Sequence, residues 1–233
     1  MYATLSSYSI FKPREHFVDS DVINLIIYNP AQEHEREMKS ILEKYLQRHI
    51  RVKPFFISLR PQKEKVEIEG NIMYIQGDES FIPGILHKTI EAIQYCNDHY
   101  SFQYLVRSNI STIIDFSTMN ENMVTSDYSG CMGLEVRGLD PPFGINDNLL
   151  FGTKYLQGTH IVLTKKGVDY LIQNKEKLRY DIIDDVALGL IMGSPTRLGQ
   201  IVQNGESSGN TCYRNKSYNR KEDIERMKRI ANI

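Results

Sequence analysis

The sequence predicts an α/β fold with a mainly parallel central sheet flanked by helices, on two observations. Between Val22 and Arg107, short apolar runs rich in β-branched and aromatic residues alternate with stretches whose apolar residues recur at helical spacing. Turn signals, Asn29-Pro30, Gly70-Asn71 and Pro83-Gly84, separate these runs. At 233 residues, 41% of them hydrophobic, the chain is long enough to bury one sizeable core.

Each element has its own reason. Val22 to Tyr28 reads as a buried strand stopped by Asn29-Pro30. From Ala31 to His49, Met38, Ile41, Leu42, Tyr45 and Leu46 fall on one face with charges between them, the pattern of an amphipathic helix. Val52 to Leu59 is the next strand. Val66 to Ile68 and Ile72 to Ile75 flank Gly70-Asn71 as a hairpin. A helix from about Ile85 to Asn97 follows Pro83-Gly84, and Phe102 to Arg107 forms another strand. Beyond Met119 the pattern loosens around Gly130, Gly133, Gly138, Pro141-Pro142 and Gly144, and long irregular stretches in a domain are often binding loops. Order returns with a strand from Gly158 to Thr164 and a helix from Lys166 to Asn174, while Asn204 to Asn210 reads as a mobile loop.

Charge narrows the partners. With 28 basic and 29 acidic side chains, net charge −1, no general field attracts nucleic acid or an anionic membrane. Met1 to Ser9 lacks the basic and apolar regions of an export signal, and no run approaches membrane-spanning length. Cys96, Cys131 and Cys212 are odd in number and outside zinc-ligand spacing, so reduced buried thiols are expected. These features predict a cytoplasmic protein without a membrane segment or nucleic-acid partner.

The chemistry-bearing segment is Ile182-Ile183-Asp184-Asp185-Val186-Ala187-Leu188-Gly189, two carboxylates inside an apolar run. Desolvating a carboxylate is costly unless it is paired or used, which makes Asp184 and Asp185 candidates for proton chemistry. An aspartate capping a new helix is the simpler reading for one of them. Strand ends carry further candidates, because ligands of open α/β sheets sit outside the carboxyl edge. Tyr28-Asn29 offers an aromatic face and an amide for a nucleobase, or a plain strand stop. Arg107-Ser108-Asn109 offers a guanidinium suited to phosphate or carboxylate, or a surface salt bridge and turn. Gly77-Asp78-Glu79-Ser80 reads as a solvated loop with Ser80 capping the next helix.

Taken in order, Asp78-Glu79-Ser80-Phe81 through Lys88-Thr89, Tyr95-Cys96, Tyr104-Leu105-Val106-Arg107-Ser108-Asn109, Gly158-Thr159-His160-Ile161-Val162-Leu163-Thr164 and Ile183-Asp184-Asp185-Val186 resemble the inverting β-1,3-galactosyltransferase and fringe group of glycosyltransferases. The resemblance runs from about Val22 to Gly189. It implies a GT-A, Rossmann-like nucleotide-diphospho-sugar transferase fold in one domain over 1–233, with a donor-binding half at about 20–115 and an acceptor-binding half with a C-terminal helix at about 116–233. It implies a nucleoside diphosphate sugar donor, a uridine diphosphate sugar first, and a glycan or glycoconjugate acceptor. Asp185 would be the catalytic base, and Asp184 would orient the helix or an acceptor hydroxyl. Tyr28, Asn29, Lys88, Arg107, Ser108, Asn109 and Ser111 would face the donor, and Gly158, Thr159 and Tyr128 the acceptor, with Tyr128 to Leu150 supplying aromatic stacking.

The chain departs from that family at one place. Where the family has three aspartates holding manganese against the diphosphate, this chain has Asn109-Ile110-Ser111. Amide and hydroxyl hold a hard dication more weakly than carboxylate. Mn2+ or Mg2+ is therefore expected only through donor phosphates near Asn109 and Ser111, and Arg107, Lys88, Arg214 or Lys216 can instead stabilise the leaving group by charge. The departure keeps a second class open, a catalytically inactive nucleotide- or glycan-binding protein. A two-metal phosphoryl transferase would need more carboxylates at strand ends than Asp78-Glu79 and Asp184-Asp185 supply.

Overall fold

A computed structural model describes residues 21–118, 124–206 and 209–233. Met1–Ser9 and two residues of the Asn204–Asn210 loop lie outside them. The first half follows the predicted alternation: β1 (Val22–Ile27), α1 (Glu33–Leu46), β2 (Val52–Arg60), β3 (Val66–Glu69), β4 (Ile72–Gln76), α2 (Gly84–His99) and β5 (Tyr104–Asn109). Then come β6 (Thr112–Ile114), β7 (Tyr128–Gly130), β8 (Gly133–Glu135), β9 (Lys154–Leu156), β10 (His160–Thr164), α3 (Lys165–Gln173), α4 (Asp184–Met192), β11 (Thr196–Arg197), β12 (Ile201–Gln203), β13 (Cys212–Arg214) and α5 (Arg220–Ala231).

The central sheet has eight strands in the order β11-β7-β10-β5-β1-β2-β4-β3. Strand β1 runs parallel to β2 and β5, and β2 parallel to β4. Strand β11 also runs parallel to β7, so most pairs of the sheet are parallel, as predicted; the exceptions are β10, antiparallel between β5 and β7, and β3, antiparallel to β4. A parallel neighbour needs a crossover, normally helical. The irregular stretch ahead of β10 supplies none, and the β3–β4 hairpin turns back at Gly70, whose φ is +62°. Two smaller ladders, β12-β13-β6 and β8-β9, complete the structure. Among the described residues no helix is long and apolar enough to cross a membrane, and the three cysteines are buried free thiols.

Alternation along each central strand sends neighbouring residues to opposite faces. Leu25, Leu105 and Leu163 join Ile90 and Val186 in one core under α2, α3 and α4, while Ile26, Val106 and Val162 join Met38 and Met227 under α1 and α5. Met38, Ile41, Leu42 and Leu46 are the buried face of α1, as their spacing predicts. Each such fully buried side chain contributes about 1.5–3 kcal/mol. The same alternation sorts the strand-end residues. Strand β5 runs on to Asn109, so Arg107, Ser108 and Asn109 belong to the ladder opposite Leu25, Ile26 and Ile27 rather than to a loop after it. Arg107 and Asn109 take the Leu105 face, toward α4, and Ser108 takes the Val106 face.

Candidate active site

A cleft of about 450 Å3 opens at the carboxyl ends of β1 and β5 and is closed by the start of α4, Gly158 and the segment around β13. Its floor is a buried polar cluster. Arg107 Nη2 meets Asp184 Oδ2 at 2.5 Å, with side chains only 3% and 4% exposed. Arg107 Nη1 donates to the Gly158 carbonyl and, at 3.2 Å, to Asn109 Oδ1. The Gly158 amide in turn donates to Asp185 Oδ2 at 2.8 Å. A Cβ at residue 158 would collide with the Arg107 guanidinium and Asp185 Oδ1, so glycine is required here by close approach. A salt bridge this deeply buried is a poor net stabiliser but a firm constraint, since removing one partner strands a charge.

Neither aspartate caps α4. Ile183 is the N-cap, without a side-chain hydrogen bond, and both aspartates stand in the first turn, at the positive end of the helix. Asp184 has a close guanidinium partner, whereas Asp185, among the described residues, accepts a hydrogen bond only from the Gly158 amide. Its Oδ1 has no hydrogen-bond partner among the described residues and lies 4.0 Å from Arg107 Nη1. Burial, and then the charge of Asp184, push the Asp185 carboxyl up to about 7 against the opposing pull of Arg107 and the Gly158 amide. That range suits a proton acceptor working near neutrality.

Cations reach the cleft from the C-terminal segment. Arg214 on β13, Lys216 and Arg220 line it. Arg220 bonds Asp223 at 3.0 Å, but among the described residues Arg214 and Lys216 make no ion pair. Burial lowers the pKa of Arg214 against the pull of Asp185. Partial burial, then Arg214 and Arg220, lower that of Lys216. Two cations without an ion pair among the described residues, on the wall of the cleft, leave it prepared for an anion.

The remaining predicted residues divide. Asn109 and Ser111 line the cleft. Asn29 borders an adjoining depression of about 250 Å3; its amide donates to Glu35 Oε2 at 2.7 Å. Tyr28 borders the same depression but is largely buried, packed edge to face against Phe56 with centroids 5.9 Å apart. Lys88 is buried, not solvated, and its ammonium is occupied by Glu79 at 2.8 and 2.9 Å and the Tyr28 carbonyl at 3.0 Å. Glu79 is correspondingly no loop residue in solvent, since Oε1 also accepts from the Leu59 amide at 2.7 Å, while Ser80 does accept from the Gly84 amide. Ser108 faces Asn24 at 3.2 Å on the far side of the sheet. Thr159 is buried and bonds Gln157, and the Tyr128 hydroxyl accepts from the Leu156 amide at 2.9 Å inside the core. Phe143 and Asp140 on the cleft wall fall within the Tyr128 to Leu150 stretch expected to meet the acceptor, though neither was singled out, whereas sequence reasoning missed Phe81, Tyr155 and Arg220.

A divalent ion held by the protein does not fit the donor set. Asn109 Oδ1 already accepts from Arg107, Ser111 is a neutral hydroxyl, and no group of three His, Cys, Asp or Glu side chains able to hold a metal occurs among the described residues.

No protein-family model matches the chain, and no curated protein matches it. Among solved structures it is similar to the crystal structure of a glycosyltransferase involved in the glycosylation of the major capsid of PBCV-1, at 10% identity and a TM-score of 0.50, over 89% of this chain and 98% of that one. The likeness is one of fold, and extends over most of both chains.

Proposed function

We propose that the protein transfers a sugar from a nucleoside diphosphate donor, a uridine diphosphate sugar first, to a hydroxyl of a glycan or glycoconjugate, with inversion at the anomeric carbon. The observation that carries this reading is Asp185: one oxygen held by the Gly158 amide, the other without a hydrogen bond among the described residues, in a cleft that also carries Arg214 and Lys216, which make no ion pair among those residues. The GT-A-like alternation, the resemblance of the Asp184-Asp185 segment to inverting transferases and the fold of the capsid glycosyltransferase support it.

In the proposed step the acceptor hydroxyl gives its proton to Asp185 Oδ1 while its oxygen attacks the anomeric carbon. The bond from that carbon to the diphosphate oxygen breaks, and the electron pair leaves with the diphosphate. Arg214 and Lys216 offset the charge that develops there, where fixed cations act most strongly because water is partly excluded. Asp184 is a positioning residue. Its salt bridge fixes Arg107, which holds the Gly158 carbonyl, and Gly158 aims Asp185.

One observation favours a second reading, a protein that binds donor or glycan without transfer: Asn109 and Ser111 stand where the transferases have carboxylates. A thermal-shift panel of uridine and guanosine diphosphate sugars, each with manganese and with chelator, tests the donor, since a ligand of the native state raises Tm with its occupancy. A shift with at least one sugar nucleotide, retained in chelator, is expected. Absence of any shift contradicts both readings of the nucleotide site; a shift without product when a pyranoside acceptor is added favours the binder.

A further inference from the structure

Two phenylalanines stand at the mouth of the cleft with much of their surface in water. Phe81 is 50% and Phe143 36% exposed, although burying an aromatic side chain is among the larger gains available to a fold. Their rings meet edge to face, centroids 5.7 Å apart at 63°, and both border the cleft that contains Asp185. Exposed apolar surface at the rim of a polar cleft marks a binding surface more often than an accident of packing.

Phe143 is tied to the helix that carries the acid pair. It ends the short turn Pro141–Phe143, and Gly144 follows at φ +75°, where a Cβ would strike the Asp181 carbonyl and Ile182. The Phe143 carbonyl accepts from the Ile183 amide at 2.9 Å, one residue before Asp184. The turn is closed below by reciprocal bonds between Asp140 and Ile145, at 2.9 and 3.1 Å. Whatever rests on Phe143 is therefore held at a fixed offset from Asp185.

Polar groups complete the patch. Asp140 lines the same wall, and its carboxylate has no hydrogen-bond partner among the described residues. Tyr155 lines the wall as well, its phenol raised by burial and then by the charges of Asp185 and Asp140, which puts both carboxylates within its electrostatic reach. Apolar ring faces beside a free carboxylate match a pyranose, which offers a C–H face to an aromatic ring and hydroxyl donors at its edge. A carboxylate or phosphate on the edge of that ring that faces Asp140 would be repelled by it.

We propose that Phe81, Phe143 and Asp140 form the acceptor subsite, and that the acceptor presents a neutral pyranose ring to it. The role as acceptor rests on the transferase reading; the binding of a neutral pyranose does not. A nucleobase is the other flat ligand in question. Phe143 is tied through its carbonyl to the Ile183 amide at the start of the base's helix and not to the β1 end, which favours the sugar.

Saturation-transfer NMR with methyl glucoside, methyl galactoside, methyl xyloside and methyl glucuronide, in the presence of uridine diphosphate, tests it on the full chain. At least one neutral glycoside is expected to bind. Phe81→Ala with Phe143→Ala together should weaken it at least tenfold, methyl glucuronide should bind at least tenfold more weakly than methyl glucoside, and Asp140→Asn should narrow that gap. Calorimetry on Asp140→Asn and Phe143→Ala should give uridine diphosphate affinities within twofold of the wild type. Equal glycoside binding by wild type and double variant, equal binding of glucuronide and glucoside, or no glycoside binding at all overturns the subsite. Loss of uridine diphosphate affinity in Phe143→Ala overturns it in favour of a base-stacking role. Failure of every nucleoside diphosphate to bind, with glycoside binding intact, supports the subsite while contradicting the transferase reading.

Discussion

Arg107 and Asp184 meet at 2.5 Å in a position from which solvent is almost entirely excluded. The consequence is a division of labour between adjacent carboxylates. Asp184 has its charge balanced and its oxygen committed, whereas Asp185 keeps an oxygen free. It also commits both terminal nitrogens of Arg107 to the protein, so in the proposed reaction the cations of the segment around β13 would carry most of the contact with a donor.

Arg107→Met should leave the Asp184 charge buried and unpaired, at a cost of about 3–5 kcal/mol. Arg107→Met with Asp184→Leu should recover most of that loss, because an apolar pair of similar volume replaces the ion pair. Denaturant unfolding of the single and double variants checks both. Unchanged stability in Arg107→Met would mean that the bridge is not formed.

Gly158→Ala places a methyl group against the Arg107 guanidinium and Asp185. Overpacking of this kind costs about 1–3 kcal/mol, and here it also displaces the amide that holds Asp185. A drop in Tm accompanied by a larger proportional loss of transfer is expected. A fully active Gly158→Ala would show that the hydrogen bond does not aim the carboxylate.

The elevated Asp185 pKa has opposite consequences for stability and rate. In the unfolded chain the carboxyl titrates near about 3.9, in the fold near about 7. Between those values the folded state keeps a proton that the unfolded state has released, so this group makes stability fall as pH rises through the window. Transfer needs the ionised form, so its rate should climb through the same window toward a midpoint near 7. Unfolding curves at a series of pH values should be flatter for Asp185→Asn than for the wild type; an equally steep dependence would assign the titration to another group.

Arg214→Ala and Lys216→Ala should each weaken uridine diphosphate binding about tenfold, one or two kcal/mol, with uridine itself unaffected. Added salt should shrink the difference for the exposed Lys216 more than for Arg214. Ser111→Asp should create manganese affinity that the wild type lacks in the absence of nucleotide. Calorimetric titrations decide each case. Tight manganese binding by the free wild type would restore a metal-centred account.

The elements that bury one face were legible because burial imposes a period. Met38, Ile41, Leu42 and Leu46 gave α1, and the β-branched runs gave β1, β2 and β5. The direction of β10 was not legible, since a strand's own residues do not encode which way its neighbour runs. Asp184 and Asp185 stood out because charge in an apolar run needs a reason, yet their different fates depend on Arg107 and Gly158, which are distant in sequence. Lys88 was expected to face the donor, and its pairing was not legible for the same cause: its partner Glu79 comes from a loop that only the fold brings near. Tyr128 read as an acceptor contact and lies in the core, because an aromatic side chain at a strand end is equally suited to either. Phe81 and Phe143 carried no periodic signal, and exposure alone distinguishes them.

The central claim is that Asp185 accepts the acceptor proton, and Asp185→Asn tests it most directly because the amide keeps the shape and loses the basicity. Initial transfer rates with a saturating uridine diphosphate sugar, paired with calorimetric Kd for the same donor, should show a rate loss of about 10²–10⁴-fold with donor affinity within a few-fold of wild type. Wild-type transfer by Asp185→Asn, or a loss of donor affinity as large as the loss of rate, would contradict the assignment.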